Sequence, residues 1–208
     1  MARQHSPVCR MCRREGMKLF LKGNRCDTPK CAFERRESPP GMTSQRRSKP
    51  TDYGVHLREK QKVKRHYGLL EKQFRKVFAM AERGKGNTGE ALMSLLERRL
   101  DNIVFRLGFG SSRAQARLLV NHGHVTVNGR RVDISSFLIR PGDVIRVKNR
   151  PKSLQLVQAV LAESHRDLPD FLNRVDGPQP EGHLVRLPEA ADASIPVQPH
   201  LIVELCSK

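Results

Sequence analysis

The reading turns on Leu96-Glu-Arg-Arg-Leu-Asp-Asn102, Ser111-Ser-Arg-Ala-Gln-Ala-Arg117, His122-Gly-His-Val-Thr-Val-Asn-Gly-Arg-Arg-Val132 and Pro141-Gly-Asp-Val-Ile-Arg-Val147. Across about fifty residues the apolar period changes from helical to alternating, and turn or cap residues mark each change. Asn87 or Thr88 can cap a helix whose stripe runs through Leu92, Leu95, Leu96, Leu100, Ile103, Val104 and Leu107, with Gly108 as its stop. Ser111 or Ser112 caps a second helix that Gly123 ends. Val125 and Val127 alternate into Asn128-Gly129, a strong hairpin signal, and Val132 and Ile134 lead away from it. Pro141-Gly142-Asp143 is another turn, followed by Ile145 and Val147. The outline is two helices feeding a small sheet.

The polar residues of the stretch suggest its chemistry. Arg113 and Arg117 are spaced to share a helix face. His124, Arg130 and Arg131 gather at the hairpin. A basic helix beside a basic hairpin suits phosphates and the shallow groove of folded RNA, although such arginines are also common on plain solvated faces. In their order and short fixed gaps, the Ser-Ser-Arg-Ala-Gln-Ala-Arg, His-Gly-His-Val-x-Val-Asn-Gly-Arg-Arg-Val and Pro-Gly-Asp-x-Ile motifs resemble the RNA-binding module named after bacterial small-subunit ribosomal protein S four.

Composition points the same way. The 208 residues carry a formal charge of +18, contain no Trp and two Tyr, and are 5% aromatic. That charge exceeds what solubility needs and implies a polyanionic partner. It is uneven: residues 1–85 carry 23 Lys or Arg against 8 Asp or Glu, residues 86–150 carry 11 against 5, and residues 151–208 carry 5 against 8. No stretch approaches the ~20 apolar residues of a membrane span, and the amino terminus lacks the apolar core of an export signal. No membrane or small-molecule partner is expected, and a cytoplasmic setting is the expectation.

Cys9-x2-Cys12 and Cys26-x4-Cys31 are two close pairs separated by thirteen residues. Such pairs can converge tetrahedrally on a structural Zn2+, although reduced structural thiols or two disulfides fit the same spacing. Basic neighbours Arg10, Arg13, Arg14 and Lys18 favour thiolates. Residues 34–50 have the composition of an extended basic linker, with Arg46, Arg47 and Lys49 placed for phosphates. Asp52 to Arg83 reads as two helices joined near Tyr67-Gly68. The first is dense in Arg58, Lys60, Lys62, Lys64 and Arg65, a solvated face or an RNA contact; the second has a core stripe through Tyr67, Leu70, Phe74, Val77, Phe78 and Ala81. Gly84-Lys-Gly-Asn-Thr-Gly89 follows a helix, so it reads as a hinge and not as a dinucleotide loop. A helix is expected over Leu154–Glu163, while Leu201-Ile-Val-Glu-Leu205 is too short to assign by period.

Tyr53-Gly-x-x-Leu-Arg-Glu-Lys-Gln-Lys-x-Lys-Arg-x-Tyr67-Gly-x-Leu-Glu-Lys-Gln-Phe-Arg75 resembles the ribosomal protein family itself, which isolated modules on enzymes do not. The resemblance is to its four-cysteine, zinc-binding branch. It implies an α+β chain: a zinc segment and linker over 1–45, a helical domain over 46–86 completed by about 188–208, an inserted RNA-binding module over 87–150, and a helix-and-strand extension over 151–187. It further implies a structural role in the small (30S) subunit and binding to a multi-helix junction in the 5′ domain of 16S rRNA. Nucleation of assembly, contact with ribosomal protein S five, and a place near the mRNA path that influences accuracy follow from it too. The candidate RNA-contacting residues are Arg46, Arg47, Lys49, Arg58, Lys62, Arg65, Tyr67, Lys72, Arg113, Gln115, Arg117, His124, Asn128, Arg130 and Arg131. The competing class is an RNA-modifying enzyme or a synthetase bearing the same module. No acid–base pair, nucleophile motif or phosphate loop supports it.

Overall fold

Local signals place most of the elements. The computed structural model describes residues 7–42, 49–163 and 167–207. In chain order the helices and strands begin with α1 (Val8–Glu15), α2 (Ala32–Arg35), α3 (Asp52–His66), α4 (Glu71–Glu82) and α5 (Thr88–Glu97). Next come α6 (Leu100–Arg106), α7 (Arg113–Asn121), β1 (Val125–Val127), β2 (Arg130–Arg131) and β3 (Val144–Val147). The chain ends with α8 (Pro151–Glu163), β4 (Leu172–Val175), β5 (Glu181–Leu184) and α9 (Pro199–Cys206). The architecture is mixed helix and antiparallel sheet. Among the described residues no helix is long and apolar enough to cross a membrane.

Side-chain caps open three of the helices, two of them at the expected positions. Thr51 accepts the Gly54 amide to start α3, Asn87 Oδ1 accepts the Gly89 amide at the start of α5, and Ser112 accepts the Gln115 amide to start α7. The apolar run near the carboxy terminus is helical, α9, with Pro199 in its first turn.

The chain divides into two units, residues 1–93 with 193–208, and residues 94–192. In the first, α3 packs against α9, and Val63, Tyr67, Leu69, Phe74 and Ile202 are buried. Salt bridges reinforce this unit. Glu15, 1% exposed at its side chain, accepts from Arg58 and Arg65 and so ties α1 to α3. Glu71 at the start of α4 accepts from Lys60 at 2.5 Å and Lys64 at 3.0 Å, both on α3. Partial burial pushes the Glu71 carboxyl up, but the two ammonium hydrogen bonds and their charges outweigh it and hold it at about 2.

The second unit is built on a five-stranded antiparallel sheet in the order β2-β1-β3-β5-β4. Val127 pairs with Arg130 across the Asn128-Gly129 turn, whose residues have φ of 49° and 78°. That is the positive-φ pair a two-residue hairpin requires. Val125, Val127, Ile145, Val147, Leu172 and Leu184 pack with Leu100, Ile103, Val104, Leu119 and Val120 in one core.

The structure departs from the single helix expected up to Leu107. The chain breaks at Arg98–Arg99, between α5 and α6. Arg99 is extended (φ −62°, ψ 135°) and bridges to Leu138, and no side chain caps α6. The loop after β2 supplies what the cap lacks: Leu100 donates to the Phe137 carbonyl at 2.8 Å and Asp101 to the Ser135 carbonyl at 3.2 Å. Those are amides that a helix start otherwise leaves without partners. The same fold-back ends β2 at Arg131 and leaves Ile134 55% exposed, so it does not extend the strand as expected.

At the break, Glu97 is fully buried and accepts from Asn102 Nδ2 at 2.7 Å and Arg106 Nε at 3.2 Å. Glu97→Ala leaves the Arg106 guanidinium, 14% exposed at its side chain, without its carboxylate. It is expected to cost about 3–5 kcal/mol of unfolding free energy in urea melts; a loss below about 1 kcal/mol would contradict this. The Glu71 clamp gives a pH test. Its folded value lies below the ordinary 4.5, so its contribution is present above that value and is lost as pH falls through about 2. Glu71→Gln should therefore destabilise the chain at neutral pH and match wild type near pH 2 in the same melts; an equal deficit at both would refute the clamp.

Candidate nucleic-acid interface

The cationic residues expected to meet RNA sort into three groups by what holds them. In the hairpin of the second unit, Arg130 and Arg131 are both exposed. Arg131 pairs with Asp133 at 3.4 Å, and its guanidinium lies against Gly123 so closely that a Cβ there would overlap it. Asn128 is exposed as well, but both ends of its amide are engaged: Nδ2 donates to Asp143 Oδ1 at 2.8 Å, and Oδ1 accepts the Val144 amide at 2.9 Å. Asn128 therefore pins the turn to the Pro141-Gly142-Asp143 corner. His124 binds Ser153 Oγ through Nδ1 at 2.9 Å. Burial holds its pKa below the usual value, and His122, Arg150 and Lys148 add to that.

Helix α7 corrects the idea of a two-arginine face. Arg113 is 7% exposed; its Nε donates to Asn102 Oδ1 at 2.9 Å, and its guanidinium sits 4.4 Å from the Phe105 ring centre. A guanidinium packed this way stabilises the module from within, and the expected RNA contact at Arg113 is withdrawn. Arg117, one turn later, is 20% exposed at its side chain and binds Asp101 Oδ2 through Nε at 2.8 Å and Nη2 at 2.6 Å. Gln115 is half-buried and accepts from the Ser111 amide and hydroxyl. It buttresses the start of α7.

In the first unit, Tyr67 is 2% exposed and sits edge-on to His66, with ring centres 5.0 Å apart, as its place in the core stripe requires. Lys62 pairs with Glu59 at 2.5 Å, while Arg58 and Arg65 share Glu15. These side chains of α3 are partly neutralised within the protein, more than a solvated charge run would be. Lys49 and Lys72 are exposed. Arg46 and Arg47 lie outside the described residues.

The four amino-terminal cysteines line one small cavity with Val8, Leu21, Lys22 and Phe33, all as free thiols. Lys22 donates its amide to Cys26 Sγ at 3.4 Å. Burial pushes the Cys12 and Cys26 thiols up, opposed by backbone hydrogen bonds from Leu19 and Lys22. Among the described residues, no three His, Cys, Asp or Glu side chains are grouped as ready metal ligands.

Two acidic partners went unread in the sequence. Asp101, beside Arg99, also holds Arg117, and Asp143 holds Asn128; the second contact of Asp101 and that of Asp143 span distant parts of the chain. The break at Arg98–Arg99 that brings Asp101 inward left no trace in the apolar period.

Similarity to known proteins covers the whole chain. The family profile described as the Ribosomal protein S4/S9 N-terminal domain matches residues 3–97, and that of the S4 domain matches residues 98–145. The small ribosomal subunit protein uS4 of Thermoanaerobacter sp. (strain X514) is 55% identical over 208 residues, covering 100% of both chains. That of Desulfitobacterium hafniense (strain Y51) is 56% identical over 209 aligned residues, and that of Thermodesulfovibrio yellowstonii (strain ATCC 51303 / DSM 11347 / YP87) is 53% identical over 209, each again at 100% of both chains. A chain that matches two consecutive profiles and full-length relatives at this level belongs to the uS4 family of small ribosomal subunit proteins.

Proposed function

We propose that the chain is a structural, rRNA-binding protein of the small ribosomal subunit in the cytoplasmic ribosome, and not an enzyme. The observation that carries this is its full-length match to the uS4 family together with a hairpin that presents Arg130 and Arg131 outward from a rigid sheet. Phosphates would meet those two residues, Arg117, Lys72 and Lys49, with Arg58, Lys62 and Arg65 contributing from α3 and Arg46 and Arg47 from the basic linker. Asn128, Gln115 and His124 shape the surface. The reading extends to a multi-helix junction in the 5′ domain of 16S rRNA as the binding site, to a part in nucleating assembly, and to a position by the mRNA path that affects accuracy. Ribosomal protein S five is the proposed protein neighbour. Footprinting the protein on small-subunit rRNA tests the core of this: one protected multi-helix junction supports it, and scattered protection overturns it.

We propose the four thiols as ligands of a structural Zn2+: their chemistry suits it, and although no three of them are grouped as ready ligands in the structure, all four face one cavity on which they would close. Four thiols share one cavity, and backbone amides already point at two of the sulfurs. Zinc there would close four ligand positions and leave none for catalysis. Metal analysis of native protein is expected to find one zinc per chain, lost on replacing Cys9 and Cys12 by Ser while Cys206 still alkylates. Zinc retained by that double variant would end the assignment. Because Glu15 also ties α1 to α3 through Arg58 and Arg65, zinc removal should loosen residues 7–42 more than it weakens rRNA binding.

Binding should fall steeply with salt, since each neutralised phosphate releases condensed counterions. Replacing Arg130 and Arg131 with Gln is expected to flatten the log–log salt dependence by about two contacts and leave circular dichroism unchanged. An unchanged slope would remove the hairpin from the interface.

A further inference from the structure

We propose that Asp101 is a positioning residue for RNA binding: a buried carboxylate that holds the Arg117 guanidinium in the one orientation that meets a phosphate. The inference rests on the rRNA-binding reading and deepens it.

Asp101 sits in the first turn of α6 and is 3% exposed. Its Oδ1 accepts from Arg99 Nε at 3.1 Å, and its Oδ2 accepts from Arg99 Nη2 at 2.9 Å and from Arg117 Nε and Nη2 at 2.8 and 2.6 Å. Two guanidiniums thus share one carboxylate, and the cluster keeps a net charge of +1. Arg99 is 5% exposed, so that excess charge does not reach solvent through it. Arg117 is the member with a fifth of its side chain open. Anchoring Nε and Nη2 to the same oxygen fixes the guanidinium plane, and a planar fork must be correctly aimed to grip a phosphate. Orienting it in advance removes the ordering cost that a long exposed side chain otherwise incurs on binding. Arg113 does not substitute for it, because its guanidinium is spent on Asn102 and Phe105.

A carboxylate that merely joined α6 to α7 would cost binding whether or not Arg117 is present, so the comparison in an Arg117→Ala background separates the two roles. Asp101→Asn removes a negative charge beside a polyanion, which by charge alone strengthens binding. A positioning role predicts the reverse.

The test uses the full-length protein and a transcript of the 5′ part of small-subunit rRNA, with affinity measured across several salt concentrations. Asp101→Asn is expected to weaken binding about tenfold at fixed salt and to reduce the salt slope by about one contact, despite the added positive charge. In an Arg117→Ala background the same change should cost nothing more. Arg117→Lys keeps the charge without the fork and should bind as poorly as Arg117→Ala, and it leaves Asp101 intact should Asp101→Asn fail to fold. Affinity at or above wild type for Asp101→Asn, an equal loss in the Arg117→Ala background, or wild-type binding by Arg117→Lys would each overturn the proposal. If Arg117→Ala binds normally while wild type binds tightly, the positioning role falls and the rRNA-binding reading stands. If wild type does not distinguish this transcript from a length-matched control, the rRNA-binding reading itself fails and takes the inference with it.

Discussion

Everything in this fold answers to a shortage of negative charge. The chain has 39 Lys and Arg but 21 Asp and Glu, and burying a guanidinium or ammonium without a partner costs several kcal/mol. The solution is sharing. Glu15 takes Arg58 and Arg65; Glu71 takes Lys60, Lys64 and Arg75; Asp101 takes Arg99 and Arg117. Each carboxylate joins one element to another, so the same few acids that permit cations near the core also set the helix packing within each unit. Because every such cluster has more cations than anions, neutralising the interior does not neutralise the protein.

Sharing also decides which arginines are available outside. Arg113 and Arg117 are spaced alike on α7, yet one is sealed between Asn102 and Phe105 and the other reaches solvent. Arg130 and Arg131 stay exposed because β2 is an edge strand of two residues, beyond which the chain turns back to serve the start of α6. A polyanion approaching the second unit therefore meets residues chosen by packing, not by charge count.

Much of the fold was legible in the sequence, because the signals there are local. Caps at Asn87 and Ser112, the hairpin turn at Asn128-Gly129, and the joint near Tyr67-Gly68 need only a few consecutive residues to act. What was not legible depends on residues far apart. The stripe of Leu96, Leu100, Ile103 and Val104 keeps its helical spacing across the break at Arg98–Arg99, since the break is fixed by carbonyls of Ser135 and Phe137. Burial of Tyr67 bears out its place in the core stripe, whereas the packing of Arg113 depends on Asn102 and Phe105, which lie outside the helix face it shares with Arg117. The carboxy-terminal helix was undecidable from a run of five residues, and its packing against α3 decides it.

The Asn128-Gly129 turn carries a consequence for chemical ageing. An Asn-Gly step is prone to lose ammonia, because the unhindered glycine nitrogen attacks the preceding side-chain amide and closes a succinimide that water then opens to aspartate or isoaspartate. Here Asp143 and the Val144 amide grip both ends of that side chain, so ring closure must first break both bonds. The damage would also be conspicuous: an aspartate at position 128 would put an oxygen where Nδ2 now stands, 2.8 Å from the Asp143 carboxylate. A turn chosen for its backbone angles is thus protected by the corner it pairs with, and the corner itself would register its decay.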